Sequence, residues 1–367
     1  MPAFLNPVPS KRNLQTGATE LTEHPVTGTN GISTVCLTIG LINNMPDGAL
    51  EATERQFLSL FNSASEGMSV RLSLYSLPGI GRNEFGSRHV SNYYSSAEDL
   101  FGTHLDGLIV TGKEPMAPDL RDEPYWESFT RVLEWARENT YSTVWSCLAA
   151  HAAVLHMDGI GRIRNAHKHC GVFDCARQSD HPLTKGTPSR FSLPHSRWNG
   201  LPEKALTACG YEVLTSSAEA GVDTFIKQQK SLFVFFQGHP EYESNALLLE
   251  YRRDVGRYLR GETEKYPLLP HGYFDKDTVA ALTALQQAAQ TRPPEAALAE
   301  VSEILEKTRI ENTWSTTATS IYRNWLLYIN AQKQQRPATD SVSGGSESPV
   351  GLFDSTRSFA TMTEIDS

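Results

Sequence analysis

Ser142-Thr-Val-Trp-Ser-Cys147-Leu-Ala-Ala-His-Ala-Ala-Val-Leu155 decides the fold: a short β-branched and aromatic run meets Cys147, and an alanine-rich amphipathic segment follows at once. Strand, cysteine and helix in that order place the thiol on a tight turn at a helix N-terminus. There the orphan N–H groups and the positive end of the helix dipole favour a thiolate and can hold a developing oxyanion. A buried structural cysteine is the competing reading, because free cysteine is often core. Working outward, the residues before and after this stretch repeat its texture.

Upstream, Thr34-Val-Cys-Leu-Thr-Ile-Gly-Leu-Ile42 is a nearly continuous apolar run, as expected of a strand buried on both faces of a parallel sheet. The loop Asn43-Asn-Met-Pro-Asp-Gly48 and a helix over 51–61 follow. The alternation continues with a strand at 70–75, a helix at 96–101, a strand at 107–111 ending in Gly112, and a helix at 124–136 opened by Pro124. This order predicts an α/β fold, a mostly parallel sheet with helices on both faces. Ligands of such sheets bind beyond the carboxyl ends of the strands, where Gly112 and Cys147 both fall. From about Gly171 the texture changes to short, antiparallel-looking strands at 211–214, 223–226 and 231–236, and helices return at 245–258, 275–290, 295–307 and 314–330.

The resulting division is a loose arm over 1–30, a principal domain over 31–262, a helical C-terminal extension over 263–333 completing that domain, and a Ser/Thr/Gly-rich tail over 334–367 expected to be disordered.

Composition narrows the function classes. The 367 residues are 39% hydrophobic and 20% charged, with a net charge of −9, which suits a globular protein and gives no basic face for nucleic acid. No apolar run approaches the length of a membrane span. The five cysteines are an odd, scattered set in a chain without a signal-like start, which points to a reducing cytoplasm.

The second chemical stretch is Phe235-Phe-Gln-Gly-His-Pro-Glu-Tyr242, where an apolar strand stops at Gly238 and His239 and Glu241 follow two residues apart. A neutral His239 near Cys147 can take the thiol proton, while Glu241 on the far ring nitrogen fixes the tautomer and stabilises the imidazolium. A turn with solvated polar tips is the bland alternative. Elsewhere, His167-Lys-His-Cys170 with Cys175 matches structural zinc spacing poorly, so no metal is expected. His151 reads as a helix-face residue and Gly79-Ile-Gly-Arg82 as a turn. Phe129, Trp135, Trp314 and Trp325 read as core.

These residues, with Asn44-Met-Pro46, Glu54-Arg-Gln-Phe57, Leu105 to Gly112, Tyr125-Trp126, Gly171-Val-Phe173, Pro194-His-Ser-Arg197, Glu250-Tyr-Arg-Arg-Asp254 and Asn312-Thr-Trp-Ser through Leu326, are those of a known family. The chain resembles the homoserine O-acyltransferases of methionine biosynthesis, whose fold is similar to that of class I glutamine amidotransferases. The resemblance implies an acyl-thioester nucleophile at Cys147, a proton acceptor at His239 and its partner at Glu241. Lys168, Ser196 and Arg253 fall on substrate-contacting positions. A guanidinium such as Arg253 takes a carboxylate bidentately, although a solvated Arg253 paired with Glu250 or Asp254 is the bland reading.

Met116 falls where the family's acyl specificity is read, usually glycine in succinyl enzymes and glutamate in acetyl enzymes. Asp47-Gly48 replaces a Lys-Lys pair of many succinyltransferases, and Lys113 stands where relatives carry a small residue. Lys113 is therefore expected to supply the lost positive charge.

The implied reaction is CoA-dependent O-acylation of L-homoserine without a further cofactor, with succinyl-CoA slightly preferred. Acetyl-CoA as donor, serine as acceptor, a glutamine amidotransferase-like cysteine hydrolase and a non-enzymatic binding protein of the same fold are the alternatives. A homodimer is expected through the resemblance alone. The segment 275–310 has no counterpart in short family members and no assigned role.

Overall fold

A computed structural model describes residues 3–5, 35–288 and 292–335. The tail expected over 334–367 lies outside the described residues from 336 onward. The arm expected over 1–30 lies outside them too, except at 3–5, where β1 (Phe4–Leu5) pairs with the edge of the sheet.

The chain then alternates β2 (Cys36–Ile42), α1 (Leu50–Ala64), β3 (Ser69–Ser76), α2 (Glu84–Tyr93), β4 (Ser95–Ser96), α3 (Ala97–Phe101), β5 (Gly107–Thr111), α4 (Trp126–Asn139), β6 (Ser142–Ser146) and α5 (Leu148–Asp158). A long hairpin of β7 (Ile163–Arg177) and β8 (Arg190–Gly200) follows, with α6 (Glu203–Ala208), β9 (Glu212–Ser217), β10 (Gly221–Gln228), β11 (Leu232–Phe236) and α7 (Ala246–Leu259). Helices α8 (Lys276–Ala288), α9 (Pro294–Lys307) and α10 (Ser315–Gln335) close the described chain.

All eleven strands share one sheet, ordered β1-β3-β2-β5-β6-β11-β10-β9-β7-β8 with β4 on β3. Pairing is parallel from β1 to β11 and antiparallel from β11 to β8, so the fold is α/β with a mixed, mostly parallel sheet. The apolar runs are continuous because each strand feeds two cores. Leu108, Val110, Trp145, Phe233 and Phe235 pack with α4 and α5 on one face. Their alternating neighbours Ile109, Val144, Val234 and Phe236 pack with α1 and α10 on the other. Trp325 of α10 also donates its indole N–H to Ser142 Oγ at 2.8 Å, which seats the helix on the central strand.

The β7–β8 hairpin is the main departure from the sequence reading, which placed only short strands after Gly171. Much of β7 is exposed and carries charged residues, so it shows neither a continuous apolar run nor clean alternation. Of the residues read as core, Phe129, Trp314 and Trp325 are buried and Trp135 is partly buried against the α4–α5 core. Helices α8 and α9 pack with α7 around Tyr251, Val255, Leu282, Leu285, Val301 and Leu305, which gives the segment 275–310 a core of its own.

Candidate active site

Strand β6 delivers Cys147 into a sharp turn. Its backbone stands at φ 53° and ψ −112°, the sole non-glycine residue with positive φ among the described residues. Such geometry costs a residue with a Cβ about 1–3 kcal/mol and persists where the surroundings enforce it. Here the enforcing bonds come from both sides: the Cys147 amide donates to Phe236 O at 2.7 Å, and its carbonyl accepts the Ala150 amide at 3.0 Å to open α5. Gly112, at the end of β5, lies against that helix start. A Cβ there would stand 2.5 Å from Leu148 Cβ and 2.7 Å from the Ala149 nitrogen.

Strand β11 runs parallel to β6 and ends beside it, with Phe236 opposite Ser146. The next residues turn under tight control: Gln237 N donates to Asp223 O at 2.9 Å, Gly238 N to Asp223 Oδ1 at 3.2 Å, and His239 N to Pro194 O at 2.8 Å. His239 Nδ1 bonds Glu241 Oε1 at 2.8 Å, and the same ring interacts with the Cys147 side chain. Burial opposes a charge on this imidazole, but Cys147 and Glu241 together hold its pKa well above the ordinary histidine value. Both His239 and Glu241 are buried. The charged form of the ring is therefore favoured on the side that faces Cys147.

Tyr242 lies flat on the His239 ring, centroids 4.2 Å apart at 16°, and donates its hydroxyl to Glu250 Oε1 at 2.6 Å. Glu250 is the hub of the neighbouring polar cluster. It accepts from Ser196 Oγ and stands 3.4 Å from Lys168 Nζ, which in turn bonds Asp254 Oδ2 at 2.9 Å. Arg253 forks onto Asp254 Oδ1 at 2.9 and 2.8 Å and remains half exposed. Burial would raise the Glu250 and Asp254 pKa values, yet Lys168 and Arg253 hold both below the usual carboxylate range, with Ser196 and Tyr242 contributing at Glu250. Burial likewise works against the Lys168 ammonium, and the Glu250 and Asp254 carboxylates beside it overcome that and raise its pKa.

The structure thus brings Cys147, His239 and Glu241 into one hydrogen-bonded series, and Lys168, Ser196 and Arg253 into a second cluster joined to it through Tyr242 and Glu250. Lys113 lines a small cleft at the start of α5 with Asn44, Gly112, Tyr125 and Leu148. Its Nζ lies 3.6 Å from Met116 Sδ and 5.7 Å from the Tyr125 ring centroid. Met116 itself is 79% exposed, so its bulk fills no pocket. The loop carrying it is fixed by the buried Glu123, whose Oε1 accepts the Met116 and Ala117 amides at 2.5 and 2.6 Å.

Three residues had no functional signal in the sequence. Tyr242 followed the His-x-Glu pair but nothing announced its stacking. Asp223, read merely as the start of a strand, is fully buried and anchors the His239 turn while facing His195 at 3.3 Å. Arg82, read as part of a turn, donates to Met45 O, to Asn43 O at 3.2 Å and to Asp47 Oδ1 at 3.2 Å, so it braces the Asn43–Asp47 loop. Asp47, in place of a lysine, is thereby given a structural partner. His151 is buried, bonded to Gln237 Oε1 at 2.9 Å, and pushed down to about 3 by burial, a neutral strut between α5 and the His239 turn.

Among the described residues the one group spaced like metal ligands is Cys175, His195 and Asp223, not the His167–Cys175 set weighed from the sequence. Burial pushes the Cys175 thiol up and Arg197 Nε donates to His195 Nδ1 at 3.3 Å, an arrangement of hydrogen bonds rather than of free ligands.

A cysteine at a strained elbow with a histidine–carboxylate pair behind it defines a class of chemistry, acyl transfer or hydrolysis through a thioester. The sequence comparisons narrow the class. The profile of the family described as homoserine O-succinyltransferase matches residues 27–336. Homoserine O-succinyltransferase of Rhodopseudomonas palustris is 46% identical over 294 residues, covering 80% of this chain and 88% of that one. The enzyme of the same description from Methylorubrum extorquens is 43% identical, covering 80% and 87%. Among solved structures, a glutamine amidotransferase from Methylobacillus Flagellatus overlays with a TM-score of 0.43 at 14% identity, covering 81% of this chain and 96% of that one. The chain belongs to the homoserine O-succinyltransferase family.

Proposed function

We propose that this protein transfers the succinyl group of succinyl-CoA to the hydroxyl of L-homoserine through a thioester on Cys147. The observation that carries the mechanism is the buried His239, bonded to Glu241 through Nδ1 and interacting with the Cys147 side chain. Cys147 Sγ attacks the CoA thioester carbonyl, its C–S bond to CoA breaks, and the CoA thiol leaves with the proton that His239 holds. The homoserine oxygen then attacks the Cys147 thioester, its proton passes to His239, and the Cys147 sulfur leaves as the anion that the imidazolium faces. N–H groups at the start of α5 are placed to stabilise the oxyanion of both steps.

The acceptor reading draws on charge. A zwitterionic amino acid needs an anion for its ammonium and a cation for its carboxylate, and the Glu250 cluster offers Glu250 with Lys168 and Arg253 side by side. For the donor, no acidic side chain stands at position 116, and the adjacent Glu114 is paired outward with Arg257 at 3.3 Å. A succinyl carboxylate thus meets Lys113 rather than a carboxylate.

The same proposal needs no cofactor beyond the CoA ester and includes a cytoplasmic homodimer. No described helix is long and apolar enough to cross a membrane. It also treats 31–262 and 263–333 as one domain, since α10 shares the core of α1 and the sheet. A donor-by-acceptor matrix of thiol release tests it: succinyl-CoA with homoserine is expected to be fastest, while faster acetyl-CoA or serine turnover, or glutamine hydrolysis alone, contradicts it.

A further inference from the structure

The stretch Gly159-Ile-Gly-Arg-Ile-Arg-Asn-Ala-His-Lys-His-Cys-Gly-Val-Phe173 carries Arg162, Arg164, His167, Lys168 and His169 and no acidic residue, in a chain of net charge −9. It forms the open end of β7, where the register against β8 slips: Arg164 pairs with Asn199 and His169 with Arg197, leaving 165–168 opposite Trp198. Trp198 is 42% exposed, the one tryptophan so placed among the described residues, and the Arg164 guanidinium lies over its indole at 4.5 Å. Arg164 and His167 are exposed and have no carboxylate within ion-pair distance among the described residues. Strand alternation puts Trp198 on the same face as Ser196, roughly 7 Å along β8, and Ser196 already belongs to the Glu250 cluster. Lys168, from the slipped segment itself, reaches the same Glu250. A cationic, aromatic platform therefore continues the site outward along one strand, and the homoserine cluster does not use it.

We propose that Trp198, Arg164 and His167 seat the phosphorylated adenine nucleotide end of the acyl-CoA. The indole offers a flat face to the base, the Arg164 guanidinium opposes the phosphates, and the exposed His167 ring offers them an N–H donor, the combination that proteins use for nucleotides read by stacking and charge. Arg162, two residues before Arg164, donates its Nη2 to Pro118 O at 3.3 Å, and its buried Nη1 has no acceptor among the described residues. The inference rests on the acyl-CoA reading above and adds to it the place where the donor's non-reacting end binds.

The test compares two donors, succinyl-CoA and succinyl-pantetheine, which carries the same thioester without the nucleotide. Trp198→Ala and Arg164→Ala are each expected to raise KM for succinyl-CoA by about 10-fold while leaving KM for homoserine and turnover of succinyl-pantetheine unchanged. Arg164→Glu, which keeps a long polar side chain, is expected to raise KM for succinyl-CoA further. Variants that handle succinyl-CoA like wild type, or that lose both donors equally, overturn the proposal. Wild-type protein inactive with both donors would instead overturn the acyl-CoA reading on which it stands.

Discussion

The amide of Cys147 donates to the carbonyl of Phe236 at 2.7 Å, so the strained elbow is bonded to the strand whose next turn carries His239. The two halves of the site, distant in sequence, are thus held in register by a backbone bond between adjacent parallel strands. The positive φ at Cys147 is a cost imposed by that arrangement. Glycine adopts it without strain, so Cys147→Gly should be more stable to urea than Cys147→Ala by about 1 kcal/mol. Both should be inactive. An alanine variant equal to or more stable than the glycine variant would show that the elbow stores no strain.

Gly112 should tolerate no side chain. A Cβ at that position meets the first turn of α5 at 2.5 Å, and the backbone of Leu148 and Ala149 is too firmly packed to yield cheaply. Gly112→Ala is expected to lower kcat by about 100-fold through displacement of the helix start, with KM for homoserine little changed. An unaltered kcat would remove that helix start from the catalytic account.

Acid stability reports the Lys168 cluster. Glu250 and Asp254 have pKa values held below the usual carboxylate range, so their contribution is fully present above that range and disappears as pH falls through the lowered values. Lys168→Met removes the main cation responsible. The variant should begin to unfold at a higher pH than wild type, by roughly half a unit or more, in chemical denaturation followed from pH 7 to 3. An unshifted or lowered acid limb would contradict the cluster's electrostatics.

Much of this site can be read from the chain, and the parts that cannot have physical reasons. Cys147 announces itself because a strand, a thiol and an alanine-rich helix occur without a gap, and His239 with Glu241 because an apolar strand ends just before them. The parallel strands are legible since residues such as Val144 and Trp145 face separate cores, which makes the whole run apolar. β7 hides because its exposed half faces solvent rather than core. Asp223 hides because a buried carboxylate looks like a turn residue until Thr215 Oγ1 from the neighbouring strand and Gly238 N from the turn after β11 join its own neighbour, the Thr224 hydroxyl, around it. Tyr242 hides because stacking on His239 depends on a turn geometry that no spacing rule encodes.

On the proposed reading, Lys113 is the residue that separates the two donors. It stands on the lip of the cleft beside Cys147's helix, near an exposed Met116, and its charge is useful to a succinyl carboxylate alone. Lys113→Ala is expected to reduce kcat/KM for succinyl-CoA by about 10-fold, the size of one exposed charge contact, and to leave acetyl-CoA turnover unchanged. An equal loss with both donors would dismiss Lys113 as the reader of the acyl group.

The thioester on Cys147 is the claim on which the rest depends, and intact-protein mass spectrometry with peptide mapping tests it directly. Mixed with succinyl-CoA in the absence of an acceptor, the protein should gain one succinyl group on Cys147, lose it when homoserine is added, and release O-succinyl homoserine in equal amount. Product formed by Cys147→Ala, or an acyl group found on another residue and discharged to homoserine, would contradict the account.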